Sequence, residues 1–156
     1  MHCDLKPENI LLKSKGSDQI KIIDLGLSQT IKKNKSLQKE AGSIYYLAPE
    51  MIKLKYNHKV DIWSIGVIFY ILVTGNPPFN AIDQTGVDYD AIKEKILVGQ
   101  VDLLDEAFLD VDPEVPDIIE LMLTLDPNQR PDAKDILDHP WFKAEVSPTE
   151  KNTGLL

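Results

Sequence analysis

Apolar positions along this chain change their spacing near Pro49. Before it they form two short aliphatic runs, Ile10-Leu11-Leu12 and Ile20-Lys21-Ile22-Ile23, on either side of the turn cluster Ser14-Lys15-Gly16-Ser17-Asp18. Two such runs around a Gly/Ser/Asp turn predict a small hairpin. On pattern alone the first run reads as a core strand. Residues 29–41 are polar, rich in lysine and without periodicity, which predicts a mobile exposed loop.

After Pro49 the pattern is helical. Pro49 suits the first turn of a short helix. Residues 60–73 are apolar on nearly every face, which places that helix at the centre of the domain, and Gly75-Asn76-Pro77-Pro78 ends it. Residues 89–98 put Ile92, Ile96 and Leu97 on one face, away from Lys93, Glu94 and Lys95, with Gly99 as the stop. Another helix is predicted over 116–125. Asp132 followed by Asp135 resembles a capping box at the start of the last helix. Pro140 ends that helix, after which Trp141 and Phe142 pack back. The polar tail is expected to fray. There are no internal repeats and no internal domain boundary.

Composition narrows the classes. Of 156 residues, 43% are hydrophobic and 27% charged. That suits one globular domain burying roughly 70% of the surface of its unfolded chain. A net charge of -8 argues against nucleic acid or an anionic membrane as partner, since both call for a basic face. A basic peptide remains compatible. One cysteine excludes an internal disulfide framework and suits a reducing compartment, so the expected location is the cytoplasm or nucleus. Three histidines and one cysteine, widely scattered, argue against a zinc site. No targeting segment is evident at Met1. The longest apolar stretch, 62–74, is short of the ~20 residues that cross a bilayer.

The candidate chemistry lies at the N-terminal end. Asp4-Leu5-Lys6-Pro7-Glu8-Asn9 is followed, fifteen residues after Asn9, by Asp24-Leu25-Gly26. Phosphoryl transfer needs a carboxylate for the acceptor hydroxyl, a cation near the moving phosphate, and oxygen ligands for magnesium. Asp4, Lys6, Asn9 and Asp24 supply those in turn. Gly26 is expected to let the chain turn sharply beneath the metal. Each short piece alone is more simply a turn or a solvated surface, but the whole run at this spacing is not a chance pattern.

With those motifs, the chain resembles the C-terminal lobe of a eukaryotic protein kinase over nearly its full length. His2-Cys3-Asp4 is similar to His-Arg-Asp, and Asp24-Leu25-Gly26 to Asp-Phe-Gly. Gly42-Ser43-Ile44-Tyr45-Tyr46-Leu47-Ala48-Pro49-Glu50 resembles the end of an activation segment. Asp61-Ile62-Trp63-Ser64-Ile65-Gly66 resembles the central helix. Asp126-Pro127-Asn128-Gln129-Arg130-Pro131 and His139-Pro140-Trp141-Phe142 resemble the closing landmarks. Within the family, the Tyr45–Glu50 stretch and Gly75-Asn76-Pro77-Pro78-Phe79 look like the calcium/calmodulin-dependent and calcium-dependent Ser/Thr kinases.

The resemblance implies a mainly α fold, with a helical C-terminal lobe, a small hairpin near its start and no N-terminal β-lobe. It implies a kinase lobe over residues 1–143 and a flexible tail over 144–156. Asp4, Lys6, Asn9 and Ser43 are the implied catalytic set, with Ser43 bridging Asp4 and Lys6 and favouring Ser/Thr acceptors. Lys6, Glu8, Asn9, Leu11 and Asp24 would bind Mg-ATP, with Asn9 and Asp24 on Mg²⁺ and Leu11 beneath the adenine. Glu8 is also the candidate to receive a basic residue upstream of the acceptor. Structural support would come from His2, Leu25 and Gly26, from Asp61 on the backbone of the catalytic loop, and from a Glu50–Arg130 ion pair.

Several departures qualify this. Cys3 replaces the Arg that pairs with a phosphorylated activation segment, and Lys39 stands where such a phosphosite commonly lies. Activation-loop phosphorylation is therefore not expected to be the switch. A single Cys beside a core-facing loop is expected to be inert. Leu25 replaces Phe and should fill its position with less packing. No Gly-rich loop, strand Lys or helix Glu is present to grip the nucleotide from above, so the chain is expected to be a truncated piece with weak or no activity of its own. A non-catalytic docking or scaffold module is the alternative. A metal-dependent phosphohydrolase leaves the downstream landmarks unexplained. The chain lacks a calcium-loop pattern, so direct calcium binding is not expected.

Overall fold

The computed structural model describes residues 1–30, 43–83 and 86–143. Most of the expected mobile loop, with Lys39 and Gly42, and the expected tail over 144–156 lie outside the described residues. The fold is mainly α. In chain order come β1 (Ile10–Leu12), β2 (Ile20–Ile22), α1 (Pro49–Ile52), α2 (Lys59–Thr74), β3 (Ile82–Asp83), β4 (Gly86–Val87), α3 (Tyr89–Val98), α4 (Glu114–Met122), α5 (Ala133–Leu137) and α6 (Pro140–Lys143).

Helix α2 is the axis of the core. Val60, Trp63 and Val67 are fully buried on it, and Trp63 stacks on Phe79 with ring centroids 5.6 Å apart. Gly66 permits the closest approach of α4. A Cβ added there would lie 2.8 Å from Met122 Cβ and 2.9 Å from Leu123 Cδ2. The expectation of an apolar, buried helix holds for most of α2 but fails toward its C-terminal end. Leu72 is 75% exposed there, whereas its neighbours Ile71 and Val73 pack against the core, so Leu72 lies on the solvent side of α2. Gly75 then ends the helix in the left-handed conformation, its N–H donating to the Ile71 carbonyl.

Helix α3 has the predicted bounds. The Asp88 carboxylate accepts from the N–H groups of Asp90 and Ala91, and Gly99 closes the far end at φ 68°. Asp132 and Asp135 form the capping box expected for α5. Helix α4 starts two residues earlier than 116–125 and ends three earlier. Trp141 and Phe142 lie in the helical turn α6, and Trp141 packs back edge-on against Phe69 of α2. The β3–β4 ladder, Ile82 opposite Val87, was not foreseen. Two residues per strand are too few to show a period in the sequence.

The hairpin forms as expected, antiparallel, with Ile10 opposite Ile22 and Leu12 opposite Ile20. Its reading as a core strand is corrected. Leu11, Leu12, Ile20 and Ile22 are all exposed. Two strands cannot bury a face by themselves, and no second layer covers this one among the described residues.

Candidate active site

The site is built where the first residues of the chain lie against the start of α2. Asp61, in the first turn of that helix, accepts the His2 N–H at 2.8 Å on one carboxylate oxygen and the Cys3 N–H at 2.9 Å on the other. Cys3 is thereby held at φ 71°, a conformation few non-glycine residues adopt. The buried His2 ring meets the Ile23 carbonyl with Nε2 at 3.0 Å and accepts the Asp4 N–H on Nδ1 at 3.3 Å. A carbonyl can only accept, so the proton sits on Nε2. His2 therefore ties the Asp4 loop to the end of the hairpin. Asn9, also buried, closes the loop by donating its amide N–H to the Asp4 carbonyl at 2.8 Å.

These contacts fix Asp4, whose carboxylate is enclosed by donors. Ser43 gives its N–H (3.0 Å) and its hydroxyl (3.2 Å) to Oδ1. Lys6 Nζ lies 3.0 Å from Oδ2 and also donates to Ser43 Oγ at 3.0 Å. Asp4, Lys6 and Ser43 thus form a closed triangle. Burial by itself would push the Asp4 carboxyl up, but the hydrogen bond and charge of Lys6, with the Ser43 donors, hold it below the ordinary range. Lys6 is raised, chiefly by its hydrogen bond to Asp4.

Asp24 is exposed and sits at φ 60°, and its Oδ1 accepts the Gly26 N–H at 3.1 Å. Two expectations change here. The left-handed residue of this turn is Asp24, not Gly26. What Gly26 supplies is room, since a Cβ there would lie 3.0 Å from Asp24 Oδ1. Leu25 does not fill an apolar position: it is 70% exposed, so among the described residues it gives no packing support. Leu11 is 46% exposed. Glu8 is exposed, and its charge reaches Tyr46, whose phenol is raised first by burial and then by Glu8.

Mg²⁺ is a hard cation that prefers oxygen donors and keeps several waters. The residues present fit it. Asp24 presents an accessible carboxylate, and Asn9 uses its amide nitrogen on Asp4, which leaves its amide oxygen as the group that could meet a cation. Among the described residues no group of three or more His, Cys, Asp or Glu could hold a metal unaided. Phosphate and water oxygens would complete such a site.

Glu50 and Arg130 meet as expected, but not as a surface pair. The contact is bidentate, 2.6 and 3.1 Å, with Glu50 4% and Arg130 0% exposed. It fastens α1, just after the Ser43 segment, to the loop before α5. Two positioning residues were missed. Ser64 Oγ donates to the Tyr46 carbonyl at 2.9 Å, which pins the segment after Ser43 onto α2. Lys59 Nζ donates to the Arg130 carbonyl at 2.6 Å. A small polar residue inside an otherwise apolar helix was the available signal for Ser64.

Cys3 is buried, and burial with the Asp61 charge raises its thiol to about 11. That fits an inert thiol.

The family model for the protein kinase domain matches residues 1–142, and the chain belongs to the protein kinase family. It is 41% identical over 149 residues to calcium-dependent protein kinase 21 of Arabidopsis thaliana, covering 95% of this chain and 27% of that kinase. It is 43% identical over 146 residues to calcium-dependent protein kinase 26 of Oryza sativa subsp. japonica, covering 93% and 26%. Calcium-dependent protein kinase 34 of Arabidopsis thaliana is likewise 43% identical over 146 residues. The chain spans about a quarter of the length of these curated relatives.

Proposed function

We propose that this chain carries the phosphoryl-transfer site of a Ser/Thr protein kinase that moves the γ-phosphate of ATP to a protein hydroxyl. The observation that carries the reading is the Asp4–Lys6–Ser43 triangle, a half-buried carboxylate with a cation and a hydroxyl locked on it.

In this reading the acceptor hydroxyl oxygen forms the new bond to the γ-phosphorus while the bond to the β,γ-bridging oxygen breaks and ADP leaves. Asp4 orients the hydroxyl and takes its proton. Its depressed pKa makes it a weak base toward a neutral alcohol, so transfer of the proton comes late, as the hydroxyl becomes acidic. Lys6 offsets charge on the transferring group. Asn9 and Asp24 would hold magnesium, which supplies charge neutralisation at the phosphate oxygens when bound. Leu11 would lie beneath the adenine. The preference for Ser/Thr rests on Lys6 and Ser43, and the exposed Glu8 suits a basic residue upstream of the acceptor.

One observation favours a second reading, a non-catalytic docking module. The apolar surface at Leu11 is open among the described residues, and adenine binding needs a second wall. The two readings separate when the chain is joined to the nucleotide-gripping half of a calcium-dependent kinase and offered ATP and a Ser peptide. Magnesium-dependent phosphate transfer, lost in Asp4→Asn and Asp24→Ala, is the expected result. No transfer in the joined protein leaves only the docking reading.

A further inference from the structure

Away from the Asp4 site, α3 and residues 100–104 enclose a groove of about 780 Å³. Phe79, fully buried, is its floor, and Ala91, Val98, Val101, Leu103 and Leu104 give it apolar walls. Val98 is 66% and Leu104 94% exposed. These are large apolar side chains in water on a wall that is itself anchored. The Tyr70 hydroxyl donates to the Asp102 carbonyl at 3.1 Å, Tyr70 packs on Phe108, and the Leu104 N–H donates to Asp102 Oδ1 at 3.0 Å. Residues of the catalytic triangle play no part in the lining.

The charge around this groove is one-sided. Between Asp88 and Glu106 the sequence carries six carboxylates against two lysines. Glu94 and Asp102 line the groove itself. Among the described residues no ion pair engages either of them. Lys95, the lysine that lines the groove, donates to the Asn80 carbonyl at 2.5 Å and keeps its charge. The carboxylates still outnumber the lysines along this stretch, so the apolar trough attracts cations and disfavours anions.

We propose that this groove is a docking site for a basic amphipathic segment of a partner protein. Two apolar side chains would enter the trough over Phe79, with Lys or Arg against Glu94 and Asp102. The acidic rim excludes an acidic segment, and it disfavours a second copy of this chain, whose net charge is -8. The proposal does not depend on phosphoryl transfer, and its test reads binding alone.

The test uses the whole chain and a fluorescein-labelled dodecapeptide of Leu and Lys in an amphipathic repeat, followed by anisotropy. Expected are saturable, salt-sensitive binding, a loss of affinity on the order of fivefold or more in Leu104→Asp, and a smaller loss in Glu94→Lys. Asp18→Lys, at an exposed position in the hairpin turn, leaves binding unchanged. Both groove substitutions fall at exposed positions, and if Leu104→Asp does not fold, Glu94→Lys decides. Four results overturn the proposal: no binding of the Leu/Lys peptide, equal binding of the matching Leu/Glu peptide, indifference to the groove variants, or loss in Asp18→Lys. Sedimentation showing self-association that Leu104→Asp abolishes makes a second copy the occupant and also sinks it.

Discussion

Arg130 reaches Glu50 across 80 residues of chain and places all five of its guanidinium N–H groups. Two go to the Glu50 carboxylate, and the others to the carbonyls of Thr124, Lys59 and Leu125, at 3.0, 3.0 and 3.5 Å. Its guanidinium also lies 5.0 Å from the Trp63 ring centroid. With one partner removed, a fully buried cation is left without its counter-ion. Glu50→Gln is therefore expected to lose about 3–5 kcal/mol in urea unfolding. A loss under about 1 kcal/mol, the range of an exposed pair, would mean that the pair does not tie α1 to the helical core.

Gly66 gives a sign test of packing against propensity. Glycine to alanine inside an exposed helix normally gains up to about 1 kcal/mol. Here the added methyl meets Met122 Cβ at 2.8 Å, an atom fixed to the α4 backbone that cannot swing aside. Overpacking of this kind costs about 1–3 kcal/mol. Gly66→Ala is expected to destabilise, seen as a lower urea midpoint at unchanged slope. A rise in the midpoint shows that α2 and α4 separate without cost.

Helices were legible in the sequence where their signals were local. Asp88 and Gly99 bracket α3, and Asp132 with Asp135 marks the start of α5, because caps are written within a few residues of what they cap. Of the site, Asp4, Lys6, Asn9, Asp61 and Ser43 were named and do converge. That came from motif resemblance, not from periodicity, since Asp61 and Cys3 are 58 residues apart. What was misread was burial. Leu11 and Leu25 are apolar, and the pattern reads apolar residues as inside, but burial depends on what covers a residue, and that is a tertiary fact. The turn at Asp24 was misassigned for a related reason. Sequence favours glycine for a positive φ, whereas here the left-handed position falls two residues earlier and the glycine serves the close approach of a carboxylate.

Asp61 and Cys3 predict an alkaline effect. The thiol's pKa is raised in the folded chain from 9.0 to about 11, first by burial and then by the Asp61 charge. A raised folded pKa contributes stability that is intact below the unfolded value and is lost as pH climbs through the folded one. Unfolding free energy is expected to fall between pH 9 and about 11, and Cys3→Ala should flatten that decline. Labelling of Cys3 by a thiol reagent in the native chain should keep rising until the pH approaches about 11. A plateau well below that pH indicates an ordinary, accessible thiol.

Ser43 and Asp4 carry the matching acid-side prediction. The Asp4 carboxyl is held below its ordinary 3.8 despite burial, because Lys6 and both Ser43 donors favour the ionised form. For a depressed carboxyl, the stability it contributes is present above 3.8 and disappears as pH falls through the lower folded value. Carbon-detected NMR of the Asp4 carboxyl should give a midpoint under 3.8. Ser43→Ala removes the hydroxyl but keeps the backbone N–H, so the midpoint should move up without reaching the value of a buried, unpartnered acid. Lys6→Met should move it further, since Lys6 contributes both a hydrogen bond and a charge. If Ser43→Ala shifts the midpoint more than Lys6→Met does, the triangle is organised around the hydroxyl and Lys6 is peripheral to it. An Asp4 midpoint above 3.8 in the unsubstituted chain means that burial outweighs the donors and that Asp4 is a stronger base than the proposed late proton transfer requires.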